Sequence, residues 1–258
     1  TIIDRNTHKK KIIDIKAKID WCIDHTETIK PLQPLPIIRQ PFSIVCRVDV
    51  TTESSFEALH RIKTKLLIKE TCVLNFASAT KPGGGFLNGR GAQEETLSRQ
   101  SALYSSIITQ EEMYKFNNEH ENPFFSDYMI YSPNVPFFRD DSYRFIEPFR
   151  SSVITSPAVN FGQLNCYQLK EKAFVVMKKR CERILRLCIS KGNRALVIGA
   201  FGCGVFKNPP EMVSKIFKEL LFDDGYGQFL NYVVFPIYSK SGSDGYLFKI
   251  FRNNLQNN

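Results

Sequence analysis

TCVLNFASATKPGGGFLNGRGAQEETLSRQSALYSSII, residues 71 to 108, contains the most informative local pattern in the chain. Its first residues are apolar and predict a strand, a proline and three consecutive glycines predict a turn, and the polar QEE predicts the start of a helix. Helical spacing continues through Leu103, Tyr104, Ile107 and Ile108. Because glycine has no Cβ, such a turn can bring backbone N–H groups close to a ligand. The stretch therefore predicts a strand, an anion-binding loop and a helix, in that order.

Two adjacent glutamates, Glu94 and Glu95, fall in the first turn of this predicted helix. The helix dipole favours acidic side chains there whatever the function, so their position alone also has an ordinary structural explanation. Neighbours on a helix point roughly 100° apart, and the two carboxylates would face different parts of one site rather than share a proton. One carboxylate could then act as an acid while the other binds a substrate.

Two familiar nucleotide-binding motifs do not fit this stretch. A Walker loop ends in Gly-Lys-Ser/Thr, but residues 84 to 91 read GGFLNGRG and contain neither the lysine nor the hydroxyl. A Rossmann turn needs a third glycine where Asn88 stands. The sequence supports neither nucleotide fold.

A second glycine loop, GAFGCGVF, occupies residues 199 to 206. It follows an apolar strand candidate and precedes Asn208-Pro209-Pro210, a plausible helix start. Ligands of open α/β sheets bind outside the carboxyl ends of strands, so two such loops could hold a pyrophosphate from both sides. Taken alone, the GCG in this loop indicates only a tight turn. Phe206 would offer a flat wall to a ribose or base, whereas Phe201 is equally well explained as a core residue.

Helices and strands alternate along the rest of the chain. Strands are predicted at 43–50, 129–132, 151–155, 195–200 and 232–237, and helices at 55–66 and 172–191. This succession predicts a three-layer α/β/α fold around a sheet. An amphipathic helix is predicted within residues 8–24, followed by a proline-rich linker at 31–41. We therefore divide the chain into an N-terminal helical extension with its linker (1–40) and a main domain (41–258).

The amino-acid composition says more about the cellular location of the protein than about its activity. The net charge of +9 and the pI of about 9.2 suit a phosphate-bearing ligand, but they suit nucleic acid or a soluble lysine-rich surface equally well. Seven scattered cysteines indicate reduced thiols and an intracellular location, cytoplasmic or nuclear. No membrane span, metal site or cofactor is expected, and we expect a monomer without direct nucleic-acid binding. Cys203 would need a base that the sequence does not supply.

PGGGFLNGRGAQEE resembles the GGG…QEE signature of poly(ADP-ribose) glycohydrolases, specifically the compact bacterial-type branch. Seven residues separate Gly85 from Gln93. LNFAS and LSRQSALY beside the signature, and three later segments, are also similar to that branch: IYSPNVPFFRDD (130–141), VITSPAVNFGQ (153–163) and LVIGAFGCGVFKNPP (196–210). The resemblance implies a macrodomain fold with a mixed sheet between helices.

The resemblance further implies hydrolysis of ribose–ribose O-glycosidic bonds, from chain ends, with release of ADP-ribose. Glu95 would protonate the leaving hydroxyl and then accept a proton from water, and Glu94 would bind ribose hydroxyls. Poly(ADP-ribose), ADP-ribose and ADP-ribosylated macromolecules are the implied partners. The substrate-binding candidates are Asn75, Gly83, Gly84, Gly85, Asn88, Gln93, Gly202, Cys203, Gly204, Val205 and Phe206.

Three other functions remain open on the sequence alone. The first is a hydrolase of the same fold that acts on mono-ADP-ribosylated protein or nucleic acid. The second is a non-catalytic ADP-ribose reader, against which the intact QEE argues. The third is a nucleic-acid-binding module, which rests only on positive charge and the lysine-rich N-terminus.

Overall fold

The computed structural model describes residues 2–3, 10–37, 40–42, 46–238 and 245–256, with a seven-stranded mixed sheet at the centre. The strands are β1 (Ile2–Ile3), β2 (Lys10–Lys11), β3 (Glu27–Ile29), β4 (Arg47–Thr51), β5 (Thr71–Phe76), β6 (Met129–Arg139), β7 (Phe145–Ser156), β8 (Ala195–Val197) and β9 (Tyr232–Pro236). The α-helices are α1 (Lys16–Asp24), α2 (Ser55–Thr64), α3 (Gln93–Gln100), α4 (Leu103–Ile107), α5 (Glu111–Glu119), α6 (Tyr167–Ser190), α7 (Pro210–Lys218) and α8 (Tyr246–Gln256).

The strand order is β3-β6-β7-β5-β8-β9-β4. Five neighbouring strands, from β7 to β4, run parallel, whereas β6 is antiparallel to both β3 and β7. β1 and β2 form a separate two-stranded sheet. β5 and β8 run in the same direction, so the glycine loops that follow them emerge at one edge of the sheet. That edge is where the sequence predicts the site.

Successive side chains of β5 point to opposite faces of the sheet and pack into two separate hydrophobic cores. Cys72 and Leu74 pack on one face of the sheet with residues of α6, α7 and α8, whereas Val73 packs on the other face with residues of α1 to α5. A strand buried on both faces reads as a continuous apolar run, as this one does. The predicted three-layer α/β/α arrangement is confirmed.

The N-terminal helix is shorter than predicted. It begins at Lys16, whose backbone N–H donates to the Asp14 carboxylate at 2.8 Å, and Ile12 before it is 83% exposed. The bond from Asp14 satisfies an N–H group that the first helical turn leaves free, so the helix starts there. Residues 8–9 of the predicted helix, and 43–45 of the predicted first strand, lie outside the described residues.

The N-terminal segment packs against the main sheet and adds a strand to its edge. α1 packs against β6 and α4, and β3 pairs with β6 at the sheet edge. Cys22 and Ile29 are both buried in the cores of the domain. The division of the chain at residue 40 stays a prediction.

The helical run after Gln93 is broken at one residue. Ser101 has an extended backbone and bridges to Phe137, and its hydroxyl accepts from the Leu103 N–H at 3.2 Å. This bond satisfies an N–H group that the first turn of the next helix leaves free. The predicted single helix is therefore two, α3 and α4.

β6 extends past the predicted MIYS segment despite two prolines. β3 pairs only with residues 129–131, so Pro133 and Pro136 lie beyond β3, where a two-residue segment, Ser101-Ala102, and no described strand contacts that side of β6. Prolines are tolerated at such unpaired edges and at bulges. The register shift between Ser132 and Val135 accommodates the first of them.

Candidate active site

Gln93 fastens the start of α3 to the end of β5. Its side-chain oxygen accepts from the Phe76 N–H at 2.9 Å, and its amide nitrogen donates to the Leu74 carbonyl at 2.7 Å. Both ends of the amide are therefore engaged by the backbone of one strand. This clamp sets the direction in which the next two side chains leave the helix.

Glu94 points into the protein and is 4% exposed. Its carboxylate accepts from the Ser78 N–H at 2.7 Å and from the Asn75 amide at 3.2 Å, and that amide also reaches the Thr155 hydroxyl at 3.2 Å. Burial raises the pKa of Glu94 to about 8, and the nearby Glu95 carboxylate adds to the rise, while the Ser78 and Asn75 hydrogen bonds oppose it. A proton therefore stays on Glu94 near neutral pH.

Glu95 is also buried, at 6% exposed, but its two oxygens differ. Oε1 accepts from the Gly85 N–H at 2.8 Å. Oε2 is buried and has no hydrogen-bond partner within the described residues. A buried carboxylate oxygen without a partner is costly, and such atoms call for a functional explanation. Oε2 is therefore the Glu95 oxygen that no described protein group engages.

The triple glycine lets the first loop approach both carboxylates. Gly83 and Gly84 have φ of +68° and +59°, a region that side-chain-bearing residues rarely adopt. A Cβ on Gly84 would lie 2.6 Å from Glu95 Oε1 and 3.0 Å from Glu94 Oε2. A Cβ on Gly83 would lie 2.7 Å from the Tyr104 ring. Only glycine fits at Gly84 with the two carboxylates in place.

The N–H groups of this loop are largely used inside the protein. Gly85 donates to Glu95, and Gly84 donates to the Lys81 carbonyl at 2.9 Å. Asn88 lies in the short 3₁₀ turn Phe86–Asn88 and is exposed. The first loop therefore holds the glutamates directly.

The second glycine loop lies beside the first and is built differently. Phe201, fully buried, contacts the Phe76 ring at 5.7 Å between centroids, which joins this loop to the end of β5. The core interpretation of Phe201 is thereby confirmed. Gly202, with φ of +75°, leaves room for Asn208, whose amide donates to the Gly202 carbonyl at 3.0 Å.

Three successive amides of the second loop are open to a ligand. Within the described part of the chain, the backbone N–H groups of Gly204, Val205 and Phe206 donate to no protein acceptor. Gly204 and Val205 are exposed, and nothing lies within 4 Å of a Cβ placed on Gly204. Successive free N–H groups in a loop form a concavity that suits an anion.

Phe206 forms an aromatic wall with Phe125, a residue that sequence reasoning missed. Their ring centroids are 5.6 Å apart, and Phe125 has a φ of +52°. The buried Arg180 donates to the Phe125 carbonyl at 3.2 Å, to the Pro157 carbonyl at 3.0 Å and to the Asp127 carboxylate at 3.1 Å. Arg180 thus ties two loops together behind this wall.

Other chemistry at this edge is limited. Burial raises the pKa of the Cys203 thiol to about 12, so this cysteine is a poor nucleophile. Among the described residues no group of His, Cys, Asp and Glu side chains could hold a metal ion. The helices that the structure describes include none that is long and apolar enough to cross a membrane.

Comparison with known proteins identifies relatives over nearly the whole chain. The model of the family "Microbial-type PARG, catalytic domain" matches residues 4–140, which include both glutamates. The poly(ADP-ribose) glycohydrolase of Thermomonospora curvata is 34% identical with a TM-score of 0.87, and the match covers 95% of this chain and 90% of that one. The Deinococcus radiodurans enzyme, solved with ADP-ribose, is 34% identical with a TM-score of 0.84, and the match covers 93% and 97%. The Thermomonospora enzyme was also solved with the inhibitor ADP-HPD. No curated protein sequence matches the chain significantly.

Proposed function

Because the chain belongs to the microbial-type poly(ADP-ribose) glycohydrolase family, we propose that Glu95 is the general acid and base with which it cleaves the ribose–ribose bonds of poly(ADP-ribose). The chain is an enzyme, a glycosidase of that polymer. The observation that supports this role for Glu95 is its buried Oε2, the oxygen without a partner beside a carboxyl that holds a proton. Cleavage from chain ends, with ADP-ribose as product, is part of the proposal.

The reaction breaks the bond between an anomeric carbon and the oxygen of the next ribose. The leaving oxygen needs a proton, and positive charge develops on the sugar ring in an oxocarbenium-like transition state. We assign protonation of that oxygen to Oε2 of Glu95. Water then adds its hydroxyl to the anomeric carbon and gives its remaining proton to the Glu95 carboxylate, which restores the starting state.

Glu94 keeps one proton on the carboxyl pair near neutral pH because its pKa is raised to about 8. Two ionised carboxylates side by side in a buried site would repel each other, so the pair holds a proton, and Glu95 passes a proton to the leaving oxygen. The protonated carboxyl can also donate a hydrogen bond to a ribose hydroxyl. Glu94 therefore acts as a binding group beside the acid.

The substrate diphosphate is assigned to the second loop. The free N–H groups of Gly204, Val205 and Phe206 suit two adjacent phosphates. The Phe206–Phe125 wall suits the flat face of a base or ribose. Gly202 and Cys203 complete the loop, while Asn75, Gly83 to Gly85, Asn88 and Gln93 belong to the carboxylate half of the site.

Partners and cellular setting are finer parts of the proposal. The product, ADP-ribose, and ADP-ribosylated macromolecules share the group that this site would recognise. We propose an intracellular, cytoplasmic or nuclear enzyme that acts as a monomer and does not bind nucleic acid directly. Its seven cysteines are all free, which supports a reducing compartment. Light scattering on the purified chain tests the monomer.

The test is ADP-ribose release from poly(ADP-ribose) by the wild type and by Glu95→Gln, followed by chromatography. Removing a general acid lowers the rate by about 10²–10⁴-fold. ADP-ribose binding should persist in Glu95→Gln, because the second loop is untouched. Monomeric ADP-ribose as the first product supports attack at chain ends, whereas oligomers contradict it. A Glu95→Gln variant that cleaves as fast as the wild type refutes the assignment.

The same pair of proteins on a mono-ADP-ribosylated protein separates the main alternative. Release of ADP-ribose from that substrate but not from the polymer would assign the enzyme to another linkage. The geometry around Glu95 suits either leaving group, since Glu95 would act only on the bond being broken.

A further inference from the structure

A cavity of about 650 Å³ lies at the opposite edge of the sheet from the two glutamates. Thr71, the first residue of β5, lines it, whereas Asn75 near the other end of that strand contacts Glu94. At about 3.3 Å per residue, the strand separates the two regions by more than about 13 Å. The bulge of β6 at Pro133 and Asn134 forms part of the wall. The cavity is therefore distinct from the active site.

The cavity floor is polar although it is buried. The Tyr131 hydroxyl donates to the Ser152 hydroxyl at 3.0 Å and accepts from the Asn193 amide at 3.3 Å. Thr71 and Ser151 pair through their hydroxyls at 3.1 Å. A domain that only needed to fill this space could use apolar side chains at lower cost. These hydroxyls and amides resemble the few placed polar groups of a ligand pocket.

Cations outnumber carboxylates around the cavity, which is lined by Lys63, Lys69, Arg150 and Lys191 against Glu27 and Glu70. Lys191 is paired with Glu27. Lys63 donates to the Lys69 carbonyl, and burial lowers its pKa to about 8. The Glu70 carboxylate opposes this fall in the pKa and the Arg150 guanidinium adds to it, so an anion between Lys63 and Arg150 would be attracted to both cations.

The rim carries an exposed aromatic surface. Trp21, the only tryptophan in the chain, is 41% exposed and stacks on His25 with ring centroids 4.0 Å apart. Both residues line the cavity. Stacking of a base on an aromatic side chain stabilises a complex by about 1–3 kcal/mol. The exposed indole can receive a base, and the cations that line the same cavity can meet its phosphates.

We propose that this cavity is a second binding site, for a nucleoside diphosphate group, with the base on Trp21 and the phosphates between Lys63 and Arg150. Its ligand class follows from the cations, the polar floor and the indole. The group has two sources, a free nucleotide or a unit of a poly(ADP-ribose) chain, and only the second source rests on the proposed function. A polymer unit held here would tether a chain whose end is cleaved at the other edge.

Trp21 makes the test direct, because its fluorescence reports only on this site. ADP titrated into the wild type should quench the emission saturably. In Lys63→Gln/Arg150→Gln the apparent affinity should fall more than about tenfold, a change equivalent to about 1.4 kcal/mol. Lys215→Gln/Arg252→Gln removes the same charge from α7 and α8 and should behave as the wild type. Inorganic phosphate should quench far less, since it brings no base.

The polymer arm uses poly(ADP-ribose) with Glu95→Gln, in which the chain is not consumed. Quenching by polymer but not by ADP assigns the site to polymer units, and quenching by both shows that a free nucleotide suffices. No response to either ligand, or a response unchanged in Lys63→Gln/Arg150→Gln, overturns the proposal. If that double variant melts early, the exposed Lys69→Gln replaces it.

Hydrolysis distinguishes this proposal from the proposed function. The Lys63→Gln/Arg150→Gln variant should release ADP-ribose from short oligomers at the wild-type rate, because neither residue belongs to the active site. A chain that quenches normally but does not cleave polymer refutes the function and leaves the second site standing.

Discussion

Gly84→Ala tests whether the glycine loop exists to let the backbone reach both carboxylates. The new Cβ would lie 2.6 Å from Glu95 Oε1 and 3.0 Å from Glu94 Oε2, closer than non-bonded carbon and oxygen atoms tolerate. The backbone φ of +59° adds strain of about 1–2 kcal/mol for any residue with a side chain. The variant should therefore lose stability and also displace the glutamates.

The size of the catalytic effect follows from the displacement. Relieving a 2.6 Å contact moves the Glu95 carboxylate by roughly 0.5–1 Å, and a misplacement of about 1 Å can cost about 10²-fold in rate. That factor corresponds to about 2.7 kcal/mol in the activation free energy. We expect kcat for ADP-ribose release to fall by about 100-fold while the chain remains folded.

Gly89→Ala is the matched control. Gly89 also has a positive φ, +74°, but nothing lies within 4 Å of a Cβ placed there. The control shares the backbone strain and not the collision. Thermal denaturation should show similar losses of stability in the two variants, and only Gly84→Ala should lose kcat. Equal kcat values in the two variants would refute the reasoning.

Three further predictions concern other groups of the site. Glu94 binds a proton more tightly in the folded protein than in the unfolded chain. The free energy of unfolding should therefore fall as the pH rises from about 4.5 to about 8, by at most about 1.4 kcal/mol per pH unit. Glu94→Gln should flatten this slope in denaturant titrations, and an unchanged slope contradicts the raised pKa. Arg180→Met removes the donor to two carbonyls and leaves the Asp127 carboxylate with Lys179, 3.5 Å away, as its ion-pair partner, which should cost about 3 kcal/mol of stability in the same titrations and raise KM through the Phe125 wall. An unchanged KM would show that this arginine only supports the fold. Gln93→Ala releases α3 from β5 and should lower kcat with ADP-ribose binding kept, so a loss confined to binding would contradict the clamp.

The sequence predicted the parts of the fold that carry a local pattern. The strand before the glycines is buried on both faces and reads as an apolar run, and the long helix α6 shows its buried stripe directly. β3 was missed because three residues carry no periodicity, and only its pairing with β6 makes it a strand. α5 and α8 were missed although both are amphipathic, since α5 begins with two glutamates and α8 ends in a polar run that interrupts its apolar stripe.

The site was predictable only where its residues lie close together in the sequence. Glu94 and Glu95 follow the glycines closely, so the sequence places them together. Thr155 contacts Asn75, 80 residues away in the sequence, and Arg180 contacts Phe125, 55 residues away. Neither Thr155 nor Arg180 lies in a recognisable motif. Which groups form hydrogen bonds in the buried interior depends on how the whole chain packs, and local sequence does not show it. Sequence reasoning therefore found the carboxylates and two nearby groups that hold them, Asn75 and Gly85, but not the distant Thr155 and Arg180.

The two glycine loops have similar composition and different uses, and the hydrogen bonds explain why. N–H groups of the first loop end on the Glu95 carboxylate and on the Lys81 carbonyl, so glycine there provides close approach and positive φ. N–H groups of the second loop remain open, so glycine there keeps the surface clear for an anion. A diphosphate bound at the second loop would place negative charge next to the ring that becomes positive. We infer that the first loop sets the acid and the second stabilises the cation, and that the single sheet edge under both loops fixes the distance between them.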